Sequence, residues 1–157
     1  MRILLAIDDS LFSSSATDTL IAQVKAEGVE VRVLHVLEPF PRDLAETMGS
    51  KEQPDFALAR VKLRERAKEL VAKTMQKLQR AGFKVSSSIE EGDPRSVILY
   101  QAEMWDADLI VLGSHGRTGL DRFLIGSVSE AVARHARCSV QVVRARSTVA
   151  QPPVEPH

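Results

Sequence analysis

A glycine-rich segment that directly follows an apolar run is the first candidate for a ligand-binding site. It begins at Gly113 and reads GSHGRTGLDRFLIGS, with four glycines in fifteen residues. Gly113 and Gly116 allow a ligand to approach the backbone closely, and Gly126 opens a predicted helix whose free amides favour an anion. The Ser127 hydroxyl either donates to an oxyanion or caps that helix, and Ser129 is a further donor. The segment therefore suits phosphate, although glycine-rich connections without a ligand are also common.

The first strand-to-helix connection is the other place where a ligand could bind. It reads DDSLFSSS and lacks the GxGxxG of a dinucleotide site, and the chain contains no GxxxxGK[ST]. Asp8 either contacts a ligand or caps the first helix, whereas Asp9 fits capping better. His35 and His115 lie near strand ends but lack the cysteines or clustered carboxylates of a metal site.

Predicted strands and helices alternate regularly along the chain and carry these residues at their ends. The predicted strands are Arg2–Ile7, Glu30–Leu37, Phe83–Ile89, Asp108–Leu112 and Cys138–Arg144. Four helices are predicted. The first carries Ala16, Leu20 and Val24, and the second is a long amphipathic helix over Asp55–Ala81. The third is capped by Asp93 and has Val97, Ile98 and Met104 on its buried face, and the fourth runs from about Ser127 to Ala136. The alternation predicts a parallel sheet in a doubly wound α/β sandwich, in which ligands bind beyond the carboxyl ends of the strands.

Composition limits the classes of protein to which the chain could belong. Its 157 residues fit one domain, predicted over 1–146, with a disordered tail over 147–157 and a long loop over Glu38–Pro54. Lysine plus arginine and aspartate plus glutamate each number 21, so no broad basic face is available for nucleic acid. The first apolar run is too short for a signal peptide or a membrane span, which predicts a cytoplasmic protein. The single cysteine, Cys138, is predicted to pack as a small apolar residue.

The motif of the glycine segment resembles that of a known family. Gly113, Gly116, Gly126 and Ser127 fit the pattern G-x2-G-x9-G-[ST], the ATP-binding motif of the universal stress protein family. The similarity continues through ILLAIDDS, LHVLEP, ADLIVLGSHG and GSVSEAVARHARCSVQVV, in the family's order. The resemblance implies a Rossmann-like, three-layer α/β/α sandwich of the adenine nucleotide alpha hydrolase type, with strand order 3-2-1-4-5.

The resemblance also implies a ligand and the residues that bind it. The ligand would be ATP, with ADP or AMP as alternatives and room for a phosphate-bound Mg²⁺. Asp8 would lie opposite Gly113 and contact ribose hydroxyls or the metal ion, and the backbone of Val36 would hold the adenine edge. The phosphates would be bound by the motif and its neighbours, namely Gly113, Ser114, His115, Gly116, Arg117, Gly126, Ser127, Val128 and Ser129.

The last strand carries the expected assembly. The resemblance implies a homodimer that pairs this strand with its copy, with Val140 and Val142 at the interface. Ser139 stands where the family commonly has proline and restores a backbone donor that could alter the pairing. Gln141 on an exposed edge also fits a partner interface.

Three functions are compatible with these features of the sequence. The first is a dimeric ATP-binding regulatory module of the stress response. A slow Mg²⁺-dependent ATPase is the second, although the loop has no lysine and no evident group that would activate water. The third is an interaction protein of the same fold that binds no nucleotide, against which the complete motif argues.

Overall fold

The computed structural model describes residues 1–40, 54–116 and 124–145. The tail predicted over 147–157 and most of the loop predicted over 38–54 lie outside these residues. The strands are β1 (Arg2–Ile7), β2 (Glu30–Leu37), β3 (Lys84–Glu91), β4 (Leu109–Gly113) and β5 (Ser139–Val143). The helices are α1 (Leu11–Gln23), α2 (Pro54–Arg80), α3 (Pro94–Met104) and α4 (Ser127–His135).

The strands form one parallel sheet in the order β3-β2-β1-β4-β5. The central strand is β1, in which Ile3 pairs with Val31 of β2 on one side and with Leu109 of β4 on the other. The predicted sheet and its strand order are therefore confirmed. Strand order reverses between β1 and β4, so the loops that follow these two strands flank the crevice where such sheets bind ligands.

Helices cover both faces of the sheet. On one face, Ala16 of α1 and Leu78 of α2 pack with Ile3 and Leu5 of β1. On the other face, α3 and α4 pack against a second cluster that includes Leu4 of β1. Burial on both faces explains why ILLAI, residues 3–7, is a continuous apolar run. The helix after β1 and the helix after β4 thus leave the crevice on opposite faces.

Short polar residues set the helix ends. The N-cap of α1 is Ser10, whose hydroxyl accepts a hydrogen bond from the Ser13 amide, rather than Asp8 or Asp9. Asp93 caps α3 through the Ser96 amide, as predicted. Gly82 follows α2 with a φ of +93°, a conformation that favours glycine.

Two side-chain predictions have different outcomes. The helical period predicts that Met104 lies on the buried face of α3. This prediction is wrong, because Met104 is 65% exposed and Ala102 is buried instead. Cys138 packs partly buried against the second core cluster, and burial raises the pKa of its thiol, in keeping with a packed apolar residue. Among the helices described here, none combines the length and apolar character needed to cross a bilayer.

Candidate functional site

Asp8 and Gly116 meet across the crevice between the β1 and β4 loops. A Cβ atom added to Gly116 would lie 3.1 Å from Oδ2 of Asp8. The other carboxylate oxygen, Oδ1, accepts a hydrogen bond of 2.9 Å from the Ser10 amide, and the Asp8 amide donates to Oγ of Ser13. One oxygen of Asp8 is therefore engaged by the start of α1, while the other lies beside the exposed backbone of Gly116.

The motif glycines occupy positions where the chain packs closely. A Cβ on Gly113 would come within 2.7 Å of Cβ and 2.8 Å of the carbonyl carbon of Phe12, in the first turn of α1. A Cβ on Gly126 would lie 3.0 Å from the Ser114 carbonyl oxygen. The fold itself thus requires glycine at 113 and restricts 126. Gly116 is the motif glycine whose Cβ position faces a carboxylate at the crevice.

The first turn of α4 lies against the end of β4. Its N-cap is Gly126, which provides no side-chain hydrogen bond, and the Gly126 amide donates to the Ser114 carbonyl at 2.7 Å. The next three amides, those of Ser127, Val128 and Ser129, belong to the helix start, where no intrahelical acceptor is available. They also find no backbone acceptor elsewhere in residues 1–40, 54–116 and 124–145. The helix start therefore offers free donors and a partial positive charge beside Ser114.

Ser114 and His115 connect this helix start to α1. Ser114 is buried, its amide donates to the Val143 carbonyl, and its Oγ lies 3.0 Å from Nδ1 of His115. The His115 ring lies 5.0 Å from the Phe12 ring, centroid to centroid. Nε2 of His115 is buried and has no hydrogen-bond partner within the described part of the chain. Because buried polar atoms in proteins are normally hydrogen-bonded, this nitrogen is a candidate for a hydrogen bond with a ligand.

The end of β2, where the resemblance predicts that the adenine edge binds, lies beside the end of β1. His35 is buried, and its Nδ1 lies 2.8 Å from the Ile7 carbonyl, which fixes Nδ1 as the protonated nitrogen. This contact ties β2 to the end of β1, just before Asp8. Val36 follows, and its half-buried side chain packs on the second core cluster. No group of three or more potential metal-binding side chains occurs among the residues described, so His35 and His115 do not form such a cluster.

A cavity of about 280 Å³ between α1 and α2 was not anticipated from the sequence. Asp8 and Asp9 line one part of it, and hydroxyl groups of α1 face lysines of α2 across it. Lys77 on that wall forms an ion pair with Asp18. Ser10, Ser13 and Ser14 supply serine hydroxyls to this lining, and their close spacing is the sequence signal for it. Arg117, predicted beside the phosphates, lies outside the described residues, as does Arg122.

Comparisons with known proteins agree with this architecture. The sequence model of the Universal stress protein family matches residues 1–144. Universal stress protein MJ0531 of Methanocaldococcus jannaschii is 33% identical over 143 residues, which cover 91% of this chain and 81% of that protein. The solved structure of hypothetical protein MJ0577 superposes with a TM-score of 0.78 at 31% identity, covering 94% of this chain and 97% of that one. A universal stress protein family protein from Arabidopsis thaliana, solved with AMP bound, shares the fold with a TM-score of 0.65 at 17% identity, covering 95% and 94% of the two chains.

Proposed function

We propose that this chain, which belongs to the universal stress protein family, is a regulatory module. It binds an adenine nucleotide in the crevice between the β1 and β4 loops. ATP is the first candidate ligand, and ADP and AMP are the alternatives. The observation that carries the proposal is the start of α4, where free amides lie against Ser114 and His115 at the carboxyl edge of the sheet. Amides arranged in this way favour a polyanion.

The phosphates would be bound at the β4 loop and the start of α4. Gly113 ends β4, Gly116 lies in the loop that follows, and Gly126 with Ser127 opens the helix. Ser127 is exposed and makes no capping bond within the described residues, so its hydroxyl is available as a donor. Backbone amides of the helix start and the side chain of His115 would supply the remaining donors. The proposed phosphate-binding residues are Gly113, Ser114, His115, Gly116, Arg117, Gly126, Ser127, Val128 and Ser129.

The nucleoside would lie at the ends of β1 and β2. Asp8 would accept hydrogen bonds from ribose hydroxyls through the oxygen that lies beside Gly116. The backbone of Val36 would contact the adenine edge, because β2 ends next to β1 at this edge of the sheet. The AMP-bound Arabidopsis thaliana protein shares this fold and supports an adenine nucleotide as the ligand class.

A magnesium ion would depend largely on the nucleotide itself. Mg²⁺ prefers oxygen ligands and is commonly bound by one or two carboxylates together with phosphates. Asp8 is the carboxylate at the crevice, and no larger cluster of ligating side chains occurs in the described ranges. The residues present therefore fit an ion that arrives with the phosphates and binds Asp8.

The test is direct identification of the ligand. Protein purified without added nucleotide is denatured, and the released small molecules are identified by mass spectrometry. Titration calorimetry then compares ATP, ADP, AMP, adenosine and GTP. We expect an adenine nucleotide at up to about one per chain, with ATP bound more tightly than adenosine because the phosphates contact the α4 amides. An empty protein that also ignores all added adenine compounds would refute the proposal. Incubation with ATP and Mg²⁺, followed for ADP, separates a binder from a slow ATPase.

We further propose a homodimer through β5. The strand lies at an edge of the sheet and exposes unpaired main-chain groups. It carries no charged residue from Ser139 to Val143, and Val140 and Val142 are only half-buried. An uncharged edge strand of this kind favours pairing with a second copy.

A further inference from the structure

The two ends of the glycine segment meet at one main-chain carbonyl group. The Ser114 carbonyl accepts a hydrogen bond of 2.7 Å from the Gly126 amide and one of 2.8 Å from Oγ of Ser129. Ser114 and Ser129 are 15 positions apart, and their exposed fractions are 1% and 2%. The start of α4 is thus fastened to the end of β4 at a point from which water is excluded. We call this arrangement of Ser114, Gly126 and Ser129 the carbonyl clasp.

The hydroxyl of Ser129 is fully engaged within the protein. It donates to the Ser114 carbonyl and also lies 3.0 Å from the Gly126 carbonyl. A serine hydroxyl has one proton, and here that proton is shared between two carbonyl groups. The buried hydroxyl therefore has no proton left to donate to a phosphate oxygen.

We infer that Ser129 is a positioning residue for phosphate binding, which acts through the Ser114 carbonyl rather than by a hydroxyl contact with the ligand. This inference rests on the proposed nucleotide function and adds a role for one residue of that site. The clasp holds the amides of Ser127 and Val128 at a fixed distance from the loop at Gly116. Preset donors bind an anion without the entropic cost of ordering them.

The clasp makes different predictions for the two halves of the nucleotide. The ends of β1 and β2, where adenosine is proposed to bind, are held by other contacts, such as that of His35 with the Ile7 carbonyl. Loss of the Ser129 hydroxyl should therefore weaken binding of the triphosphate and leave adenosine binding unchanged. A purely structural serine would affect both ligands equally.

The experiment compares Ser129→Ala, Ser129→Thr and a matched control. The control is Thr17→Val, which removes a hydroxyl-to-carbonyl bond of 3.1 Å from a residue of similar burial in α1. Calorimetry measures ATP and adenosine affinities, and hydrogen–deuterium exchange follows the amides of residues 127–129 in ligand-free protein. Thermal melts record the stability of each variant.

We expect Ser129→Ala to raise the Kd for ATP by about fivefold or more, the change that loss of one buried hydrogen bond produces. Its α4 amides should exchange faster, while the adenosine Kd stays at the wild-type value. Ser129→Thr keeps the hydroxyl and should restore most of the ATP affinity, and Thr17→Val should match wild type in both binding and α4 exchange.

Two outcomes would overturn the inference. One is a Ser129→Ala protein that binds ATP like wild type, and the other is equal weakening of ATP and adenosine. Unchanged amide exchange at 127–129 in Ser129→Ala would also refute the clasp, whatever the ligand. Failure of the nucleotide proposal is recognised separately, because wild-type protein would then bind neither ATP nor adenosine.

Discussion

The glycines of the motif differ in which atoms lie where a side chain would be. At Gly113 the nearest atoms belong to Phe12, and they include its main-chain carbonyl carbon. At Gly116 the nearest atom is a carboxylate oxygen of Asp8, and the residue itself is exposed. A main chain cannot move aside as a side chain can. One motif therefore combines a glycine required for folding with a glycine whose backbone faces the crevice where we propose that the ligand binds.

Alanine at each of these glycines should separate the two roles. Gly113→Ala places a methyl group 2.7 Å from Cβ of Phe12 and should destabilise the protein by about 1–3 kcal/mol through overpacking. Gly116→Ala should change stability by less than about 0.5 kcal/mol, as for most exposed positions, yet weaken ATP binding by crowding Asp8. Urea unfolding and calorimetry on both variants measure the two effects.

The pair of variants serves as its own control, since the substitution is the same and the positions are three residues apart. A Gly113→Ala protein as stable as wild type would show that β4 and α1 are not packed as described. Unaltered ATP affinity in Gly116→Ala would place the phosphates elsewhere.

At the scale of elements, α3 depends on a charged cap. Desolvation raises the pKa of the Asp93 carboxyl, but hydrogen bonds from Ser96 and Arg95 together with the Arg95 charge outweigh it and bring the pKa below its ordinary value. A carboxyl whose pKa is lowered on folding contributes stability above its unfolded pKa, near 4, and loses that contribution as the pH falls through its folded pKa. The cap should therefore weaken in acid.

We expect Asp93→Ala to cost about 1 kcal/mol at pH 7, the usual value of an N-cap. The difference from wild type should shrink as the pH falls from about 5 to below the lowered pKa of Asp93. Asp93→Asn is the control, because asparagine caps helices without titrating. Urea unfolding at pH 7, 5, 4 and 3 gives the differences. A constant gap between wild type and Asp93→Asn over this range would show that the carboxylate charge does not contribute to the cap.

Element order could be read from the sequence, whereas several ends and contacts could not. The continuous apolar run of β1 and the Asp93–Pro94 signal identify their elements unambiguously. The alternation in β3 stops at Ile89, but the strand continues to Glu91 because main-chain pairing with β2 does not require apolar side chains. Met104 fits the helical period, yet it lies in the last turn of α3, where periodicity does not reveal what covers the helix.

The sequence predicted several residues that border the crevice, but not their contacts. The G-x2-G-x9-G-[ST] spacing indicates a phosphate loop, and the described residues Gly113, Gly116 and Gly126 do lie at the crevice edge of the sheet. Several serines and aspartates near residue 10 are all competent helix caps, so the choice of Ser10 depends on the local backbone. The carbonyl clasp joins residues 15 positions apart, and no local pattern encodes such a contact.

For the whole molecule, the two edges of the sheet differ in a way that bears on assembly. The β3 edge carries Lys84, Glu90 and Glu91. Glu91 forms ion pairs with Arg60 and Arg64 of α2. Charges on an edge strand discourage pairing with another chain. The β5 edge has the sequence SVQVV, and the amide of Gln141 is already bonded to Gln23 of α1. Pairing through β5 is therefore favoured over pairing through β3.

This contrast leads to a prediction with a matched control at the opposite edge. Val142→Arg places a charge on the edge strand β5, where Val142 is half-buried against the second core cluster, and should convert a dimer into a monomer of about 17.3 kDa, measured by light scattering on a sizing column. Val85→Arg alters the same residue type, half-buried on β3, and should leave the dimer intact while costing comparable stability. ATP affinity in the Val142→Arg monomer should stay near the wild-type value, because the crevice is built from the β1, β2 and β4 ends of one chain. A wild-type monomer, or equal loss of the dimer in both variants, would rule out β5 as the interface.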